Sequence, residues 1–316
     1  MIHSFIGYAL DENLRRSATS GGVGSAIVKY LFDSGKIDYA LSFKYDIDKI
    51  CYIPCIVDKF EDYVVCGSIY HEIPLVESVK KCLEHKKKGR IVLFSLPCQT
   101  RALRYICEKK GFKAIIIGLT CSSQQTKEAT TYLLSRLGIN CSNVKHLQYR
   151  GNGWPGGISI KTKDGRLYFV KNIGSIWMKI FHSRLFIQSQ CFGCTNTLNS
   201  YADIVLADPW LKEYIEKETL GQTLFASYTI EGDEIVNNCV SEFYISSMPV
   251  DNNLFYTSQI STINRKKSYK LHPTVRRFMK SIFLNTTYHH IVLLSPLFFK
   301  IHCKLKELIE YFILRR

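Results

Sequence analysis

What the chain lacks narrows its class. Its 316 residues include only eight prolines and three tryptophans. No low-complexity tract and no internal repeat interrupts it, which excludes collagen-like, solenoid and disordered architectures. Long hydrophobic runs are missing too. The longest, "IVLLSPLFF" at 291–299, falls far short of the roughly 20 residues that a spanning helix needs. The opening "MIHSFIGYALDENLRRS" has no basic segment followed by an apolar one. No secretory signal is therefore read, and a cytoplasmic location is expected. Thiols stay reduced there, so the twelve cysteines are not a disulfide framework. They divide between buried hydrophobes and metal ligands.

At 46% hydrophobic and 22% charged, the chain can bury a sizeable core in one or two domains. Its net charge of +15 is uneven. Residues 264–316 hold twelve Lys or Arg and two Glu, a net +10, against +5 for the other 263 residues. Such a tail is either a solvated surface or a contact for an anionic partner. No basic helix or known nucleic-acid motif accompanies it, so nucleic acid is not expected. The stretch "HHIVLLSPLFFKIHCKLKELIEYFILRR" mixes apolar and basic residues. It reads either as a helix packed on the domain or as a peripheral contact of 264–316 with an anionic membrane, at its inner face.

The first half alternates helix and strand signals. In "SATSGGVGSAIVKYLFDSG", Val23, Ala26, Ile27, Tyr30 and Leu31 form the stripe of a core-facing helix. "DYALSF", "RIVLFS" and "FKAIIIGL" read as buried strands. Residues 75–88, "QTRALRYICEKKG" and "SSQQTKEATTYLLSRLG" read as helices, the last with Ser122 or Ser123 as N-cap. Two alternating runs around Lys163-Asp164-Gly165 signal a hairpin, strand-like stretches recur at 203–207 and 223–230, and 274–283 and 302–314 look helical. The fold class is therefore α/β: a parallel or mixed sheet with flanking helices, then a smaller α+β portion and a helical basic C-terminal tail. The expected divisions are 1–145, 146–260 and 261–316.

"CFGC" places Cys191 and Cys194 at metal-ligand spacing, but two ligands do not close a site. Cys98 follows one buried strand and Cys121 the next, each ahead of a helix. Strands joined by a helical crossover run parallel, so both cysteines lie at the carboxyl edge, where open α/β sheets carry their sites. Four thiolates suit zinc or an iron–sulfur cluster, whereas the Cys191–Cys194 pair alone would suit a redox dithiol. Cys82, Cys107, Cys141, Cys239 and Cys303 read as structural; Cys51, Cys55 and Cys66, three within sixteen residues, read either as structural or as part of another site.

Hydroxyls, two glycines and a helix start in "SATSGGVGS" offer an anion site or a flexible capped helix start. The glycine-rich "YRGNGWPGG" is an irregular loop; Trp154 either presents an exposed ring or plugs the core. Asp208 ends a strand as a ligand-binding carboxylate or as the first residue of an Asp-Pro turn. No catalytic acid or base is named; His71 and His182 are guesses.

In order along the chain, "SATSGG", "GSIY", "SLPCQTRAL", "GLTCS", "RGNGWPG", "CFGC", "ADIVLADPW" and "GQTLFASYTIEGDEI" resemble the coenzyme F420 hydrogenase/dehydrogenase beta-subunit family. The match runs from about residue 7 to 235. This resemblance implies a flavoprotein with a 4Fe–4S cluster on Cys98, Cys121, Cys191 and Cys194. The flavin it implies, FAD or FMN, would be held by Thr19, Ser20, Gly21, Gly22, Asn152, Gly153 and Trp154, with Asp208 and Thr223 as further candidates. A flavin handles electron pairs and a cluster single electrons, so together they interconvert the two. The family often carries an N-terminal ferredoxin-like extension; this chain is read as a short form starting after it. A separate donor is then expected, such as ferredoxin or reduced deazaflavin. Ile69 stands where the family usually has lysine, and Cys121-Ser122-Ser123 replaces a usual Cys-His-Gly. Standalone relatives look like those of bacterial surface-polysaccharide gene sets. The expectation is thus an oxidoreductase acting on a small, sugar-linked substrate. The alternatives are a non-catalytic electron-transfer subunit and a zinc-stabilised nucleic-acid module.

Overall fold

The computed structural model describes residues 1–314. Along the chain, β1 (Ser4–Ala9), β2 (Tyr39–Asp46), β3 (Cys51–Val57), β4 (Arg90–Ser95) and β5 (Lys113–Leu119) come first. Next, β6 (Val144–Gln148), β7 (Gly157–Thr162) and β8 (Leu167–Lys171) make a separate antiparallel sheet. Then β9 (Ile204–Ala207), β10 (Thr223–Ser227) and β11 (Ile245–Val250) return to the first one. That sheet has eight strands among the described residues, in the order β11-β1-β10-β9-β5-β4-β2-β3. Its centre, β2-β4-β5-β9, is parallel, and β3, β10 and β11 run antiparallel to their neighbours. The sheet is mixed, as one of the two sequence readings allows.

Helices fill the connections: α1 (Glu12–Ser17), α2 (Val23–Asp33), α3 (Leu75–Cys82), α4 (Thr100–Lys109), α5 (Lys127–Arg136) and α6 (Ile176–His182). After them come α7 (Lys212–Lys217), α8 (Ile230–Ser241) and α9 (Asn252–Ser258). The described part of the tail is a run of four helices: α10 (Ile260–Leu271), α11 (Pro273–Phe283), α12 (Thr286–Leu293) and α13 (Pro296–Leu314).

The aliphatic strands work because alternate side chains enter opposite cores. Val92, Ile115, Ile117 and Ile204 pack with α2 and α8, while Ile91, Leu93, Ile116 and Val205 pack with α3, α4 and α9. Both faces are covered, which explains why the strands read as unbroken apolar runs. A third core joins α5, α6 and the small sheet to Val292 and Phe299 of the tail.

Local boundaries differ where tertiary packing decides them. The helix expected at 75–88 ends at Cys82 and tightens into a 3-10 turn at Leu83–His85. Neither Ser122 nor Ser123 caps α5; Thr126 occupies its N-cap position. The expected 223–230 strand stops at Ser227, because Thr229 accepts from Gly232 N and starts α8. The tail helix expected at 302–314 begins at Pro296.

Candidate functional site

The large sheet gathers the candidate residues at one edge. Because β1, β2, β4, β5 and β9 share a direction, their carboxyl ends meet there, and antiparallel β10 begins there. The Thr19–Gly22 loop follows β1, Cys98 follows β4, Cys121 follows β5, Asp208 follows β9, and Thr223 opens β10.

The glycine loop is fastened to its neighbours. Ala9 N donates to Gly21 O (2.6 Å), and the Thr223 hydroxyl donates to Ser20 O. Gly21 has φ +74°, and a Cβ there would lie 2.8 Å from Thr223 N. Only glycine brings this loop so close to β10. Thr19 is equally engaged: its Oγ1 accepts from Ser68 N (2.6 Å), and its carbonyl accepts from Arg150 Nη2 (3.2 Å).

The "RGNGWPG" loop closes over this edge. Arg150 is 1% exposed and pairs with Asp208 (Nη1 to Oδ2, 3.1 Å), while Trp154 Nε1 donates to Asp208 Oδ1 (3.3 Å). Trp154 is buried at 3% exposure, its ring 5.5 Å from that of Trp210. It plugs the core; the exposed-ring alternative is corrected. Asn152 N donates to Arg16 O (3.1 Å) and Trp154 N to Thr219 O (2.7 Å). At Gly153, φ is +89° and a Cβ would lie 2.5 Å from Thr219 O. Every segment that the resemblance assigned to the flavin therefore meets in one place. The side chains of Asp208, Trp154 and Thr223 are committed to protein partners and hold its shape.

The four cysteines form a second group beside it. Burial raises the Cys121 thiol to about 12, with Cys191, Cys98 and Cys194 adding to the rise and the Lys266 ammonium opposing it. Cys98 is exposed at the surface, yet the surrounding protein partly desolvates its thiol and raises it, reinforced by Cys194 and Cys191. Cys191 is raised by burial and, in part, by Cys194. Each of these thiols feels others of the set, so the residues from 98, 121 and 191–194 are neighbours. Yet among the described residues no three His, Cys, Asp or Glu side chains converge tightly enough to hold one metal ion. Cys121 lies six residues ahead of Lys127, where α5 begins.

Lys266 escaped the sequence reading. It lies on α10 at 4% exposure. Its Nζ donates to Cys121 O (2.8 Å) and Asn196 O (2.6 Å) and reaches Cys194 Sγ at 3.6 Å. Among the described residues no carboxylate pairs with it. The signal was in the sequence: Lys266 stands three residues after Ile263 and three before Tyr269, which are buried on the same helix. Next to it, Arg265 Nη2 donates to the Ser122 hydroxyl (2.9 Å). The Thr197 hydroxyl is buried without a protein partner, on the residue whose carbonyl accepts the Cys121 amide. An anionic group on four thiolates fits this donor set.

Neither histidine guess joins the site. His71 is buried, accepting from Tyr52 N at Nε2 (2.9 Å) and facing Glu72 O with Nδ1 (2.9 Å). His182 ends α6, and Arg184, Lys306 and Glu310 are the charges it feels.

Two family models describe the beta subunit of coenzyme F420 hydrogenase/dehydrogenase, and both match this chain. The model of its C terminus matches residues 88–253, and the model of its N-terminal part matches 4–80. One F(420)H(2) dehydrogenase subunit, from Methanosarcina mazei, is 25% identical over 235 residues, or 71% of this chain. That stretch spans 62% of the relative's length, less than two thirds of it. A chain in a solved structure of the F420-reducing NiFe hydrogenase complex from Methanosarcina barkeri superposes with a TM-score of 0.63. The likeness covers 84% of this chain and 90% of that one at 17% identity, and it is a likeness of fold.

Proposed function

The chain belongs to the coenzyme F420 hydrogenase/dehydrogenase beta-subunit family, and from that premise we propose that it is the flavin- and iron–sulfur-bearing electron-transfer subunit of a redox complex. One relative is named as a dehydrogenase subunit and a structural neighbour comes from a hydrogenase complex, which favours a subunit over a standalone enzyme. Both names carry F420 and neither carries a sugar, so the sugar-linked substrate loses its support. A deazaflavin-type hydride carrier is the small-molecule substrate the reading favours.

In this reading Cys98, Cys121, Cys191 and Cys194 hold a 4Fe–4S cluster. The loop of Thr19, Ser20, Gly21 and Gly22 holds the flavin, FAD or FMN, together with Asn152 and Gly153. Trp154 and Asp208 act there by fixing the loop against Arg150, and Thr223 by fastening Ser20. When bound, the flavin supplies two-electron and the cluster one-electron transfer. Lys266 offsets the negative charge of the thiolates.

The observation that carries the reading is Lys266: an ammonium at 4% exposure, with no carboxylate paired to it among the described residues, set against Cys194 and Cys121. A buried cation is costly unless a negative charge faces it, and four metal-bound thiolates supply that charge. Anaerobic purification, an absorption spectrum and assays of iron, sulfide and flavin test the proposal. About four irons per chain with bound flavin are expected, and Cys121→Ser should lose most of the iron. A colourless, iron-free protein made without air rejects it.

A further inference from the structure

The inward face of helix α13 is mixed: Phe299 is 2% exposed and Cys303 and Ile309 pack against the cores, but His302 at 2% and Lys306 at 5% exposure are buried there too. Lys306 pairs with Glu310 (2.8 Å), which also accepts from the Tyr269 hydroxyl (2.7 Å) and faces Arg184 (3.5 Å). His302 Nε2 meets Ser183 O at 2.8 Å, and its Nδ1 meets the Tyr288 hydroxyl at 2.8 Å. These partners come from α10, α12 and the segment after α6, so they fix the rotation of α13 about its axis.

Its outward face is apolar. Leu297, Phe298, Ile301, Leu305, Leu308 and Phe312 are between 44% and 62% exposed. At 100° per residue they share an arc of about 100°, and 297 to 312 spans about 22 Å of helix. A helix of a water-soluble surface shows the opposite pattern. A contiguous apolar strip of this length marks a contact surface.

We propose that this face docks on an anionic lipid bilayer, the helix lying in the interface plane. Charge selects that occupant. Lys300 and Lys304 are exposed along one edge of the strip, and Glu307 is the one exposed carboxylate described on the helix. The whole segment 264–316 carries a net +10. Two copies of this face would bring like charges together, whereas anionic headgroups supply both counter-charge and apolar depth. No described helix is long and apolar enough to cross a membrane, so the contact is peripheral. The proposal is independent of the redox reading, since it needs no cofactor.

Co-sedimentation of the full chain with vesicles tests it. Vesicles of equal parts phosphatidylcholine and phosphatidylglycerol should carry the protein down, more weakly as salt rises; phosphatidylcholine alone should not. The pair Leu305→Glu and Leu308→Glu should lower partitioning more than about tenfold. Lys300→Ser with Lys304→Ser should weaken binding to the anionic vesicles and leave the far-ultraviolet circular dichroism unchanged. Absence of binding to anionic vesicles overturns the proposal. So does undiminished binding by the folded glutamate variant. A dimer that the glutamate pair dissolves, without vesicle binding, assigns the face to a second copy and also overturns it.

Discussion

A single buried ammonium sets much of the chemistry at the cysteine group. Lys266 donates to two carbonyls and reaches a thiol. Replacing it by methionine removes a buried charge and leaves those carbonyls without their donor. The two effects oppose one another at about 1–3 kcal/mol each. The metal-free Lys266→Met protein should therefore unfold in urea close to the wild-type midpoint. Its iron content after gel filtration should fall, and the reduction potential of the iron it keeps should become more negative. Equal iron and an equal potential would mean the lysine only fills space. The four cysteines were legible because their signal is local, a cysteine just past an apolar strand or two at fixed spacing. Lys266 was less so, since its burial is created by the packing of α10 on Cys121 and Asn196, far away in sequence.

Elements show the same division. The strands β4 and β5 were readable, since burial on both faces makes them continuous apolar runs. β1 and β11 pair only through contacts more than 200 residues apart and gave little local pattern. The α6–α13 junction carries a pH dependence that no local pattern announces. His302 is 2% exposed, and burial lowers its pKa, with Lys306 and His289 adding to the fall and its bond to Ser183 O opposing it. In the unfolded chain it titrates at about 6.5. Below that value the unfolded state binds more protons, so stability falls as pH drops. Above it the group contributes nothing to the slope. At lower pH Glu310, held low by Arg184 and Lys306 against its burial, begins to protonate and extends the loss. His302→Gln should flatten urea-measured stability just below about pH 6.5; an unchanged slope would place the titration elsewhere.

At the scale of the whole molecule, one sheet edge draws together residues that the sequence scatters. Cys98 and Cys121 arrive on adjacent parallel strands, Cys191 and Cys194 on the segment before β9, and Lys266 on the tail. Phe192, between the paired cysteines, is buried with Tyr269, Met279 and Phe283 of α10 and α11, so the tail is packed into the cysteine group. The carboxyl edge was legible from strand–helix alternation; the tail's place on it was not, because its sequence signal was charge. A group bound across such distant segments exists only in the folded chain, so its binding free energy adds to the folding free energy. Anaerobic reconstitution with iron and sulfide should accordingly raise the thermal midpoint of the entire chain in one transition, with the small sheet and the tail melting together with the large sheet. Cys98→Ser and Cys191→Ser, on separate segments, should each abolish most of that rise. Calorimetry on apo and reconstituted protein decides it. A rise that survives either substitution would mean iron is held by one segment alone, and the convergence of the four thiols would carry no function.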